Sequence, residues 1–135
     1  MVFVSIVVEI ETIHHTAVIV TDVDRAKGFY GGILGLRELP RPDFGFDGVW
    51  YQVGEGQELH LIVHPEARTV RGTTTIDGRD GHFAMGVGSY AKTLEHLRAH
   101  GVACRELPLN PTPWAQIYVT DPDGNVIELN ADRPA

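Results

Sequence analysis

The residues best equipped for chemistry are three histidines and a glutamate that recur at matching places in the chain. His15 opens the run HTAVIV and His82 opens HFAMGV, at an offset of 67. His60 interrupts ELHLIV and Glu128 interrupts VIELN, at an offset of 68. Imidazole nitrogens and carboxylate oxygens are the donors that Zn, Ni, Fe or Mn accept. Together the four would hold one divalent metal ion and leave positions open for a small substrate. A histidine titrates near neutral pH, so His60 could instead move a proton. A lone histidine on a strand is usually a core residue satisfied by hydrogen bonds. Four donors at equivalent positions outweigh that reading.

The elements that must carry these groups also repeat. RELP occurs at Arg37–Pro40 and again at Arg105–Pro108, an offset of 68. Before each copy an apolar strand precedes a helix. Asp22 and Ser89 are placed to cap the helices, and Gly35 and Gly101 to follow their ends. After each copy come an aromatic strand (GVWYQV or WAQIYV), a glycine turn and a last strand. Residues 1–135 therefore read as a single α+β domain of two paired βαβββ modules, forming a curved mixed sheet with helices outside. Module 1 spans about 13–64, a polar linker about 65–79, and module 2 about 80–131.

Strand alternation assigns faces. In HFAMGV the bulky Phe83, Met85 and Val87 suit a helix-covered face, while His82, Ala84 and Gly86 leave the other face open. The same phase puts Val18 and Val20 under a helix, with His15 and Ala17 on the open side. His14 falls on the helix side or at the frayed start of the strand, with no chemical role. His60 and Glu128 lie opposite the leucines of their strands, so all four donors would line one concavity. Trp50 and Gln52 share one face of their strand. Trp114, Gln116 and Tyr118 share one face of theirs, and Tyr118 matches Trp50 at the same offset of 68. These five are candidate walls of a substrate pocket, apolar with few polar groups. The segment PRPDFGFDG reads as a loop, with Phe44 or Phe46 packing in it or covering the pocket. His64 reads as a rim residue, His96 and His100 as a solvated helix face, and Cys104 as inert packing.

Composition narrows the partners. The formal net charge is −7 and no Lys/Arg cluster is present, which argues against nucleic acid and anionic membranes. A single cysteine excludes an intrachain disulfide and fits a cytoplasmic location. The N-terminal VFVSIVV is too short for a membrane span and is followed by Glu9 and Glu11. It reads as an extra strand or an arm at a subunit contact.

HHTAVIVTDVDRAKGFYGGILGL, GHFAMGV and YVTDPDGNVIEL together resemble the vicinal oxygen chelate superfamily of glyoxalases, extradiol dioxygenases, and fosfomycin and bleomycin resistance proteins. The resemblance covers about residues 13–131. It implies a glyoxalase-like fold, a homodimer, a small oxygen-bearing substrate, and one divalent metal on His15, His60, His82 and Glu128. Fosfomycin-type members use only the His15, His82 and Glu128 positions. Glyoxalases usually have Glu or Gln where His60 stands. Extradiol dioxygenases have an acid/base histidine in a similar place, and a tyrosine ten residues before the glutamate, where Tyr118 stands. The implied activity is a metal-dependent lyase or isomerase, or an Fe(II) ring-cleaving dioxygenase, with His60 and Tyr118 catalytic. The alternative is an antibiotic-binding resistance protein.

Overall fold

The computed structural model describes residues 8–64, 66 and 69–133. Strand β1 (His15–Val20) leads into helix α1 (Val23–Lys27). Asp22 starts that helix because its carboxylate accepts the Arg25 backbone N–H at 2.9 Å, pairing a donor that the first turn leaves free. Gly28, Gly31 and Gly32 follow. Glycine weakens the α-helical ladder, and the chain continues as a π-helical turn over Gly28–Ile33. Strands β2 (Arg37–Leu39), β3 (Gly48–Val53) and β4 (Gln57–Val63) complete the first unit.

The second unit repeats the order with β5 (His82–Gly86), α2 (Tyr90–Ala99), β6 (Arg105–Leu107), β7 (Trp114–Thr120) and β8 (Val126–Asp132). Ser89 caps α2 by accepting the Lys92 N–H at 3.2 Å. Gly101 ends it at φ 69°, so that Val102 and Gly101 return their N–H groups to Leu97 and Arg98. The strand orders are β1-β4-β3-β2 and β5-β8-β7-β6, with β1 parallel to β4 and β5 parallel to β8. The βαβββ repeat is thus present in both halves, and each half carries its own four-stranded sheet.

One face of each sheet is the core. Val49, Tyr51, Leu59 and Leu61 of the first and Ile117, Val119, Ile127 and Leu129 of the second are buried with Phe29, Tyr30, Leu94 and Leu97 in one cluster. Each such side chain contributes roughly 1.5–3 kcal/mol of transfer free energy. The other face is left open: His15, Ala17, His82, Ala84 and Gly86 are all exposed.

The DPDG turn ties the halves together. Asp121 is buried and accepts the Tyr30 hydroxyl at 2.6 Å. Burial, reinforced by that carboxylate, holds the Tyr30 phenol well above its ordinary pKa. Asn125 donates to the Ile19 carbonyl, and Asp123 binds Thr21 and Arg25. Arg71 of the linker reaches Asp80, Thr75 and the Gly124 carbonyl. Apart from Val8, the VFVSIVV run lies outside the described residues, and residues 8–14 form neither helix nor strand. Among the described residues no helix is long and apolar enough to cross a membrane.

Candidate functional site

The parallel pairing of β1 with β4 sets Ala17 beside His60 and His15 beside Glu58. The antiparallel pairing of β3 with β4 sets Trp50 opposite His60. Three flat rings therefore stack on the open face. The His60 ring lies 4.0 Å from that of His15 and 4.1 Å from that of Trp50, and only 8% of His60 is exposed.

His60 Nε2 contacts Glu58 Oε1 at 2.9 Å. A carboxylate only accepts, so the proton sits on Nε2 and Nδ1 is the bare nitrogen of the neutral ring. Glu58 is a residue of this site that the sequence reading misses. The signal for it is simple: it stands two residues before His60, on the same strand face.

His14 precedes β1 and is exposed. Its Nδ1 meets His15 Nδ1 at 2.9 Å, so it shares a hydrogen bond with the metal-ligand candidate instead of packing under the helix. Desolvation and the neighbouring His60 and His14 imidazoles hold His15 below its ordinary pKa.

The second sheet builds a different pair. Register sets Ala84 and Tyr118 on either side of Glu128. Glu128 Oε1 accepts the Tyr118 hydroxyl at 2.6 Å and lies 3.2 Å from His82 Nε2. Burial pushes the Glu128 carboxyl up, but hydrogen bonds from Tyr118, Gln116, Asn130 and His82 outweigh it and hold the pKa below the ordinary value. Burial and the Glu128 hydrogen bond push the Tyr118 phenol up to about 12. It is a proton-bearing donor at neutral pH. Linker residue Gly78 packs against the same ring, where a Cβ would come within 2.9 Å of the Tyr118 phenol carbon.

His82 Nδ1 lies 2.8 Å from the Asp80 carbonyl, which can only accept. A protonated ring donates from Nε2 to Glu128 as well, whereas a neutral ring with its proton on Nδ1 turns the Nε2 lone pair toward the Glu128 oxygen. Two acceptors at this separation need a cation between them, a proton or a metal ion. Donors bound to one metal at about 2.0–2.2 Å stand roughly 3.0–3.5 Å apart. The pair therefore fits a divalent ion.

The four expected donors are brought together two by two, one pair on each sheet. Among the described residues, no group of three or more His, Cys, Asp or Glu side chains is arranged to hold a metal ion within the chain. Of the pocket candidates, Trp50 stacks on His60, and Gln116 donates to the Tyr118 oxygen at 3.3 Å. Gln52 is tied back to Arg37 and the Gly54 carbonyl, and Trp114 is exposed at the start of its strand.

The remaining histidines and the cysteine stand apart. His64 is exposed and accepts the Glu66 N–H. His96 on α2 and His100 at its C-terminal cap are exposed, and His96 donates to the Ile33 carbonyl at 2.7 Å. Burial pushes the Cys104 thiol up, as suits a packing residue.

Residues 12–129 match the Glyoxalase/Bleomycin resistance protein/Dioxygenase superfamily. A lactoylglutathione lyase of Haemophilus influenzae is 32% identical over 123 residues, 85% of this chain and 88% of that protein. Glyoxylase I 4 of Arabidopsis thaliana is 29% identical over 122 residues, 87% of this chain and 69% of that protein. Among solved structures, a glyoxalase/dioxygenase from Nostoc punctiforme superposes with a TM-score of 0.76 at 23% identity. It covers 97% of this chain and 100% of its own. TnmS3, an antibiotic binding protein from Streptomyces sp. CB03234, has a TM-score of 0.71 at 25% identity, covering 93% of this chain and 98% of its own.

Proposed function

The chain belongs to the Glyoxalase/Bleomycin resistance protein/Dioxygenase superfamily, and from that premise we propose that it is a metal-dependent lyase of the glyoxalase type, acting as a homodimer on a small oxygen-bearing substrate. The observation that carries the reading is the His82 Nε2–Glu128 Oε1 opposition at 3.2 Å, with His82 Nδ1 already committed to Asp80. His15 and His60 would supply the other donors. Because the two pairs sit on separate sheets and one member of each, His15 and His82, is exposed, the pair from one chain is proposed to meet the complementary pair of a second copy.

A bound divalent ion would polarise substrate oxygens and stabilise negative charge developing on them. The chain's own residues do the rest. Glu58 holds the His60 proton on Nε2 and leaves Nδ1 free as a metal donor or for a substrate proton. Tyr118 stays protonated and orients Glu128 by its hydrogen bond. Trp50, stacked on His60, walls the site and excludes water. Relatives named lactoylglutathione lyase favour an isomerising lyase over ring cleavage. All four donor positions being able to bind metal favours an enzyme over an antibiotic-binding protein.

The test is metal analysis of the purified dimer with turnover of the thiol adduct of an α-ketoaldehyde. The wild type is expected to bind metal stoichiometrically and to turn the adduct over, and His15→Ala and Glu128→Ala to lose both. Metal retained by both variants would sink the site. O₂ uptake with catechols after anaerobic Fe(II) loading, without adduct turnover, would replace the lyase with a dioxygenase.

A further inference from the structure

Arg41 lies in the loop between β2 and β3 and has no role in the chemistry above. Three other arginines are paired with carboxylates: Arg25 with Asp123, Arg71 with Asp80 and Arg98 with Glu106. Among the described residues Arg41 forms no ion pair. Among those residues its one hydrogen bond runs from Nη2 to the Phe46 carbonyl at 3.1 Å. Its Nε is buried and has no partner among the described residues.

The guanidinium is held in place. Its central carbon lies 5.0 Å from the Phe44 ring centroid and 5.2 Å from that of Phe46. It also rests against Gly48, where a Cβ would come within 2.9 Å of Nη2 and 2.5 Å of the Leu61 carbonyl. By alternation Gly48 shares a strand face with Trp50, which stacks on His60. Phe44 continues the row, 6.0 Å from Trp50. The cation thus lies at the end of an aromatic wall that begins at the proposed metal donors. Gly48 is two residues along β3 from Trp50, a separation on the order of 7 Å.

We infer that Arg41 is the anion-recognising residue of this site, and that the substrate bears a carboxylate at the end remote from the oxygens it presents to the metal. A carboxylate accepts side by side from Nε–H and a free Nη hydrogen, which fits the donors Arg41 has left. It also removes the cost of a buried N–H without an acceptor. The two rings beside the guanidinium, Phe44 and Phe46, are themselves about half exposed, so the Arg41 head group lies at the solvent edge of the wall. The inference rests on the metal-site reading for where the chelating oxygens lie, and on Arg41 alone for the charge.

The test compares 3,4-dihydroxybenzoate with its methyl ester. Both present two vicinal oxygens, and only the acid has a carboxylate across the ring. Calorimetric titration of full-length protein, with and without Zn(II), is paired with the NMR signal of the Arg41 Nε–H. The acid is expected to bind at least about tenfold more tightly than the ester and to shift that signal, as a charge-assisted bond predicts. Arg41→Met should erase the acid's advantage and leave ester binding unchanged, which shows that the variant is folded. Arg41→Lys should keep part of the advantage, since it keeps the charge and loses the fork.

Equal binding of acid and ester, or an advantage surviving in Arg41→Met, overturns the inference and leaves the metal site standing. An Arg41-dependent preference for the acid that is the same with and without Zn(II) supports the anion site and counts against the metal reading. No binding of either probe, and no shift of the Arg41 signal, overturns the inference.

Discussion

Glu58 carries the sharpest expectation for any single side chain. A carboxylate behind a histidine fixes its tautomer and sets how well its other nitrogen binds metal. Glu58→Gln should lower metal affinity by about 10-fold to 100-fold with little effect on stability. Nitrogen NMR of the metal-free protein should show the His60 proton leaving Nε2 for a mixture of tautomers. Tyr118 gives a pH expectation. Its phenol titrates near 12 in the folded chain and near 10 when unfolded. Between those values the unfolded chain gives up the proton and the folded chain keeps it. This contribution to stability is therefore complete below about pH 10 and falls as pH rises to about 12. Tyr118→Phe should flatten that alkaline loss in urea midpoints measured on either side of about pH 10. His14 matters for its neighbour: His14→Ala should weaken metal binding through the lost bond to His15, whereas His15→Ala should abolish it.

Among helices, strands and turns, the caps are where sequence and structure agree most closely. Asp22 and Ser89 do cap, and Gly101 does take a left-handed conformation. Gly101→Ala places a Cβ at φ 69° and should cost about 1 kcal/mol. A thermal melt would read this as a shift of a few degrees, and an unchanged melt would mean that the end of α2 repacks. The first helix is the less regular of the pair. Its glycines admit a π-helical turn, which a reading of apolar spacing does not anticipate because it assumes one helical period throughout.

For the assembled protein, the split of the donors between two sheets makes a definite prediction. A protein carrying His15→Ala and His60→Ala, mixed with one carrying His82→Ala and Glu128→Ala, should regain activity. Each heterodimer then has one intact site, about a quarter of wild-type activity after random exchange. No recovery, with exchange confirmed by mass, would place the whole site within one chain.

The repeat, the α+β class and the strand phases are all legible in the chain read as a string, as is the placing of His15, His60, His82 and Glu128 at equivalent strand positions. They follow from short-range rules: alternation on a strand, capping at a helix end, and glycine at a turn. His15 could be told from His14 because HFAMGV sets the phase. Other features needed the folded chain: Glu58 holding His60, His82 turning its Nε2 toward Glu128, and Arg41 keeping a buried donor unused. So did the division of the four donors into two pairs. Which side chains meet depends on strand register and on how the sheets pack, and neither is written in the spacing of residues along one strand.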